Sequence, residues 1–133
     1  MLTRQTFLIF LALATACTRP AKSLKDALPG QVQRAWILKQ TEALPAEEAP
    51  SLIRSLGLRQ AIRAVYEGNG SITVSVFEMN VDASAFELIQ KWRQQDGLAM
   101  YKGSYFFVVQ GKGTDQATLS AFLQAFQREL KTT

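Results

Sequence analysis

Histidine is absent from the 133-residue sequence, and cysteine occurs once, at Cys17. A single cysteine excludes an intramolecular disulfide, so the fold must be held together by a packed core. Without histidine, and with Cys17 assigned below to another role, the usual nucleophile–base pairs and zinc sites are excluded. We therefore predict no catalytic residues, no metal site and no cofactor.

The sequence also lacks a large excess of charge of one sign. It has 15 Lys and Arg residues against 11 Asp and Glu residues, a net charge of +4, and loss of Arg4 with the leader described below leaves 14 against 11, or +3. The basic residues are scattered, so the sequence does not indicate a nucleic-acid-binding protein. The length and an apolar fraction of 47% are typical of one globular domain with a short appendage.

No apolar run is long enough to cross a bilayer as a helix, which takes about 20 residues. Residues 1–16 instead have the organisation of a signal peptide, with Arg4 ahead of the apolar run Phe7 to Ala14. Small residues then lead to a cysteine in the stretch Ala14-Thr15-Ala16-Cys17. This stretch resembles the lipobox of bacterial lipoproteins, although alanine stands at position 14, where leucine is preferred.

The lipobox resemblance implies cleavage before Cys17 and attachment of a diacylglyceryl group to its thiol, with a further acyl chain such as palmitate on the new amino group. The alternative is ordinary signal-peptide cleavage after Ala16, which leaves a free thiol. Each buried methylene contributes about 0.8 kcal/mol, so two or three acyl chains hold a protein firmly at a membrane. Residues 17–27 are polar and contain Pro20, and we interpret them as the lipidated cysteine with a flexible tether.

The resemblance also implies a location in the bacterial cell envelope. Thr18 follows the cysteine in place of the Asp that resembles an inner-membrane retention signal. The periplasmic face of the outer membrane is therefore expected if the source has an outer membrane.

Two hairpins and two amphipathic helices are the main patterns of residues 28–133. Asn69-Gly70 is a strong signal for a hairpin turn, because both residues tolerate positive φ. The predicted strands are Arg34 to Gln40, Gln60 to Glu67, Ser71 to Met79, Leu98 to Tyr101 and Tyr105 to Gln110, and the predicted helices are a short one after Pro50, one reaching Trp92 and one from about Asp115 to Leu130.

This order predicts a single α+β domain over residues 28–133. Its antiparallel sheet has about five strands, with two or three helices packed on one face. Alternation along the third predicted strand places Ile72, Val74 and Val76 on the face that meets the helix ending at Trp92. The face of the sheet opposite Ile72, Val74 and Val76 should be exposed.

The junction between that strand and its helix resembles a family of uncharacterised exported bacterial proteins. The shared pattern is a V-x-V-[FY]-x-M strand, here Val74 to Met79, leading into an A-F helix, here Ala85-Phe86, and the match spans Leu56 to Phe107. The resemblance implies a similar fold and no particular activity.

Polar and aromatic side chains on the expected exposed face form the candidate binding site. Tyrosine and arginine are favoured at interfaces because they bury area and keep a polar group. The alternative is that they are ordinary solvated sheet residues. The candidate residues for binding a ligand or partner are Arg63, Tyr66, Thr73, Ser75, Phe77, Met79, Tyr101 and Tyr105.

Two further arrangements are weighed as catalytic sites. Glu78 and Asp82 flank a strand-to-helix turn and form a possible acid–base or calcium pair, but a strand-end carboxylate and an acid at a helix N-terminus explain them more simply. A serine–lysine pair is formally open, although no serine lies on a recognisable nucleophile elbow.

These patterns predict a non-enzymatic, membrane-anchored envelope lipoprotein that binds a protein partner or a small ligand through the exposed sheet face. The alternatives are a carboxylate-dependent envelope hydrolase and a structural accessory subunit of an envelope complex.

Overall fold

The computed structural model describes residues 23–93 and 97–132. The leader, Cys17 and the first residues of the predicted tether lie outside this part of the chain. The strands are β1 (Gln31–Val32), β2 (Trp36–Ala43), β3 (Leu58–Gly68), β4 (Gly70–Met79), β5 (Leu98–Lys102) and β6 (Tyr105–Lys112). The helices are α1 (Leu24–Ala27), a 3₁₀ helix (Ala46–Glu48), α2 (Ser51–Ser55), α3 (Asp82–Lys91) and α4 (Gln116–Glu129).

The strands form one antiparallel sheet in the order β1-β2-β3-β4-β6-β5. The β3–β4 hairpin lies at its centre and turns at Asn69, as the sequence predicts. Gly70 has a φ of +116°, and a Cβ there would come within 2.9 Å of the Thr114 methyl carbon, so this position requires glycine. The α+β class and the antiparallel sheet are confirmed, with the short β1 as an additional strand.

The helices lie on both faces of the sheet, which differs from the expectation of helices on one face. Helices α1 and α4 pack on what we call the first face, and α2 and α3 pack on the second face. The reason is visible in β6, where Phe107 and Val109 point to the first face while Phe106 and Val108 point to the second. A strand that is apolar on both sides requires cover on both sides.

Helix α4 provides the main cover of the first face. Its Phe122 and Phe126 are fully buried and contact the ring of Tyr66 at centroid distances of 5.3 and 6.0 Å. Ile72, Val74 and Val76 belong to this core, so they pack beneath α4 and not against α3 as the sequence analysis expects. The full set of large aromatic side chains in this core is Trp36, Tyr66, Tyr105, Phe107, Phe122 and Phe126.

Helix α3 packs instead over Phe77 and Met79 at the end of β4. On the first face this end of β4 carries Glu78, so the apolar positions nearest the turn belong to the second face. Ala85 and Leu88 of α3 are fully buried there. The helix therefore covers the residues next to the turn from which it begins.

The folded domain includes residues that the sequence analysis places in the tether. Leu24 and Ala27 of α1 are buried in the first core. The backbone N–H of Lys131 donates to the Ala27 carbonyl at 3.0 Å, which joins the two ends of the described chain. The folded domain therefore begins by Leu24, inside the segment predicted as a tether.

Candidate functional site

The second face of the sheet is only partly covered. Helices α2 and α3 lie over Phe77 and Met79, but the next row along the strands is more open. In that row Ser75 of β4 lies between Arg63 of β3 and Val108 of β6. The two helices therefore cover this face only as far as the row that contains Ser75.

A cavity of about 310 Å³ lies beside Ser75, where the cover of the helices ends, and opens to solvent. It is bounded by the sheet, by the end of α3 and by the segment that holds the 3₁₀ helix. We call it the groove, and its described lining residues are Leu44, Glu48, Pro50, Arg63, Ser75, Phe77, Trp92, Val108 and Gln110.

The floor of the groove is apolar. Phe77 and Val108 are buried sheet residues, and Leu44 closes one side. Trp92 ends α3, and its indole ring meets Phe106 at a centroid distance of 5.3 Å with the planes at 61°. Its indole N–H is buried and has no hydrogen-bond partner among the described residues, although most buried donors in proteins have one. An aromatic side chain therefore borders the apolar floor.

The charged groups of the groove are not paired with each other. Arg63 is exposed and forms no salt bridge or hydrogen bond within the described residues. Glu42 lies directly opposite Arg63 on β2, and Glu48 lies on the groove lining, yet neither carboxylate comes within 4.0 Å of the guanidinium nitrogens. Arg63 is thus a cation beside an apolar floor, with its hydrogen-bonding capacity unused by the described chain.

Three of the candidate residues meet in the groove, namely Arg63, Ser75 and Phe77. Thr73 lies on the same face in the next row, opposite Val65 and Gln110, and is half-buried. The alternation of side chains along β3 and β4 is what brings these residues to one face.

The other four candidate residues do not line the groove. Met79 is 1% exposed beneath the second-face helices, and Tyr101 is half-buried with its ring 5.6 Å from that of Phe86. Tyr66 and Tyr105 point to the first face and are buried in its core. The expectation that Tyr66, Phe77, Met79 and Tyr105 are exposed therefore disagrees with the structure, since all four are buried.

Both buried tyrosines have shifted ionisation. Burial raises the pKa of Tyr66 well above its ordinary value of 10.0, and the Glu129 carboxylate raises it further. Burial also raises the pKa of Tyr105, as does the charge of Glu78, while Arg59 opposes this effect. Both side chains are thus held in the neutral form, as expected of core residues.

Glu78 and Asp82, the possible acid–base or calcium pair, lie on different sides of the sheet. Glu78 faces the first side, with 12% of its side chain exposed. Gln60 Nε2 donates a hydrogen bond to Glu78 Oε2 at 2.7 Å, and Arg59 Nη1 lies 3.5 Å from Glu78 Oε1. Asp82 is exposed in the first turn of α3, the helix that packs on the second face. In residues 23–93 and 97–132 no three Asp, Glu, His or Cys side chains come together as a metal site would require.

Sequence reasoning missed much of the groove lining. Trp92 is predicted as the end of its helix, and the 3₁₀ helix carrying Glu48 has no strong sequence signal. The one usable signal is that Trp92 is the last apolar residue before a helix end, where it is half-buried and lines the groove.

Comparison of the chain with protein-family models, with curated proteins and with solved structures finds no match. The resemblance to exported bacterial proteins therefore stays a prediction. None of the helices in the described residues combines the length and apolar character needed to span a membrane.

Proposed function

We propose that the chain is an exported protein that is acylated at Cys17 and binds a protein partner or a small ligand through the groove, without catalysing a reaction. The observation that carries the binding proposal is Arg63, which is unpaired within the described residues and lies beside the apolar floor formed by Phe77 and Val108. Ligand sites in proteins commonly combine an apolar lining with a few polar groups.

The anchor is supported by the order of residues 1–17, with a basic residue, an apolar run, small residues and then the cysteine. Acylation at Cys17 holds the domain at a membrane surface of the bacterial cell envelope, on the periplasmic side of the outer membrane where the source has one. The folded domain begins by Leu24, so few residues separate it from the acyl chains.

The carboxylate-dependent hydrolase has less support. Glycosidic hydrolysis needs two carboxyl groups on either side of one bond, whereas Glu78 faces the first side of the sheet and Asp82 belongs to a helix that packs on the second. Glu78 is moreover engaged by Gln60 and Arg59.

Mass spectrometry of the mature N-terminus tests the anchor. We expect a peptide that begins at Cys17 and carries acyl chains, and we expect the Cys17→Ser protein to move to the soluble fraction. An unmodified cysteine at the N-terminus would overturn the anchor and leave the groove proposal standing.

Photo-crosslinking in the producing cell tests the groove. The full-length protein carries a photoreactive benzoylphenylalanine in place of Ser75, and a matched protein carries it in place of Gln124, which is exposed on α4 at the other side of the sheet. We expect a mass adduct at position 75 and none at position 124. Adducts of equal yield at both positions, or none at position 75, would contradict binding through the groove.

A further inference from the structure

The chemistry of the groove specifies the kind of ligand. We propose that it binds a small zwitterion with a bulky apolar side chain, a free amino acid or a dipeptide, with the ligand carboxylate on Arg63 and its ammonium group on Glu48. This inference rests on the proposed function, because it names the ligand of the same groove.

The charges of the groove favour a ligand that carries both signs. Arg63 is the one cation and Glu48 the one anion among the described lining residues, and they form no ion pair with each other. A ligand with only a carboxylate would meet Arg63 favourably but would also approach Glu48 and the nearby Glu42. A ligand with only an ammonium group would meet Arg63 unfavourably. A zwitterion satisfies both groups and leaves the net charge of the site unchanged.

Arginine is well suited to the carboxylate end of such a ligand. Its planar guanidinium can donate two parallel hydrogen bonds to one carboxylate, and these bonds are stronger than those between neutral groups. Arg63 projects from a central strand, whose backbone is held on both sides by β2 and β4. The group that would fix the ligand is therefore carried by a rigid element.

The apolar floor specifies the rest of the ligand. Phe77 and Val108 form a surface onto which an aliphatic or aromatic side chain can be buried, and Trp92 stands at its border. The Ser75 hydroxyl lies in the same row as Arg63 and Val108, between the charged and the apolar parts. It is placed to hydrogen-bond the polar backbone of a ligand that spans both.

The volume of the groove suits a small ligand. A cavity of about 310 Å³ holds the volume of about ten water molecules at about 30 Å³ each and is near the lower end of the range for ligand pockets. This matches an amino acid or a dipeptide, whereas a folded partner would cover the groove without filling it.

The test uses the fluorescence of Trp92 in the acylated full-length protein, purified in detergent. The chain contains two tryptophans, and Trp36 is buried on the first face, so a Trp36→Phe variant leaves Trp92 as the single reporter. The probes are the dipeptide leucyl-leucine, its C-terminal amide, its N-acetyl derivative, glycylglycine and octanoate. Calorimetry with the protein that retains Trp36 measures the same affinities without relying on the substitution.

We expect leucyl-leucine to bind, the amide and the N-acetyl derivative each to bind about tenfold more weakly or worse, and glycylglycine to bind weakest. Arg63→Gln should remove the preference for the free acid over the amide, and Glu48→Gln should remove the preference for the free amine over the N-acetyl form. The matched controls Arg54→Gln and Glu47→Gln change exposed residues outside the groove lining and should keep both preferences.

The proposal is overturned if the acid and the amide bind equally well, if Arg63→Gln retains the preference between them, or if no probe binds. Tighter binding of octanoate than of leucyl-leucine would identify the ligand as a simple anion and would also overturn it. A crosslinked adduct at position 75 together with failure of all dipeptides would end this inference alone and leave the broader proposed function intact.

Discussion

The hydroxyl of Tyr66 donates a 2.6 Å hydrogen bond to the backbone carbonyl of Pro29, 37 residues earlier in the chain. Tyr66 lies on a central strand and is fully buried, so this bond fixes the segment after α1 against the middle of the sheet. The bond assigns to Tyr66 a structural role on the first face, away from the groove.

Replacing Tyr66 with phenylalanine should destabilise the protein by about 1–2 kcal/mol. The ring contacts with Phe122 and Phe126 are kept, but the Pro29 carbonyl loses its donor. Urea denaturation followed by circular dichroism measures the change. Tyr101→Phe is the matched control, since the Tyr101 hydroxyl has no hydrogen bond to any described residue; an equal loss in both variants would contradict the role of the bond.

The raised pKa of Tyr66 predicts that the folded protein loses stability in alkali. The folded-state pKa of Tyr66 is raised, so its contribution is fully present below the ordinary tyrosine pKa of about 10 and is lost as pH rises above that value. The free energy of unfolding should therefore fall more steeply above this pH in the wild type than in Tyr66→Phe. Parallel pH profiles for the two proteins would refute the assignment.

Asp115 should stabilise the start of α4 through its side chain. Its Oδ1 accepts a 2.7 Å hydrogen bond from the backbone N–H of Thr118, and the interaction with Thr118 lowers the pKa of this carboxyl. The stabilisation is present above the ordinary aspartate pKa and is lost as pH falls through the lowered value. Asp115→Ala should lower Tm at neutral pH.

Asp115→Asn separates the hydrogen bond from the charge. The amide oxygen can still accept the Thr118 bond but does not titrate, so this variant should retain most of the wild-type Tm and lose part of the acid dependence. An asparagine variant as unstable as the alanine variant would show that the cap acts through charge alone.

Lys102 should stabilise the other end of α4. Its Nζ donates to the carbonyls of Leu130 at 2.8 Å and Arg128 at 3.3 Å, groups that lie at the end of the helix, where carbonyls lack intrahelical partners. Lys102→Met should cost about 1 kcal/mol in chemical denaturation. Lys112→Met, an exposed lysine without a partner within the described residues, should cost close to nothing; equal effects would contradict the proposed cap.

The parts of the fold that local chemistry determines could be predicted from the sequence. The β3–β4 hairpin follows from Asn69-Gly70, and α4 follows from an apolar stripe that includes Phe122 and Phe126. The strand β1 could not be predicted, because its turn places Gln33 and Arg34 at φ values of 54° and 57°, a conformation that neither residue type signals.

The distribution of the helices could not be predicted because two apolar faces compete. Alternation separates Val76 from Phe77 correctly, but it does not say which of the two faces α3 covers. For the site, alternation accounts for Arg63 and Ser75 sharing a face. The prediction that groups Tyr66 with Arg63 is wrong, because the two residues are three apart on one strand and therefore face opposite sides of the sheet. The groove itself depends on where α3 and the 3₁₀ helix end, which is a tertiary property.

The central claim is that the groove between β3, β4 and the end of α3 binds the ligand. Titration of the ¹⁵N-labelled protein with leucyl-leucine, followed by chemical shifts, tests it directly. We expect the largest shifts at Arg63, Ser75 and the Trp92 indole N–H, and small ones at first-face positions such as Leu119. Shifts concentrated on the first face would contradict binding through the groove, and the absence of any shift would contradict the assignment of a small zwitterion as its ligand.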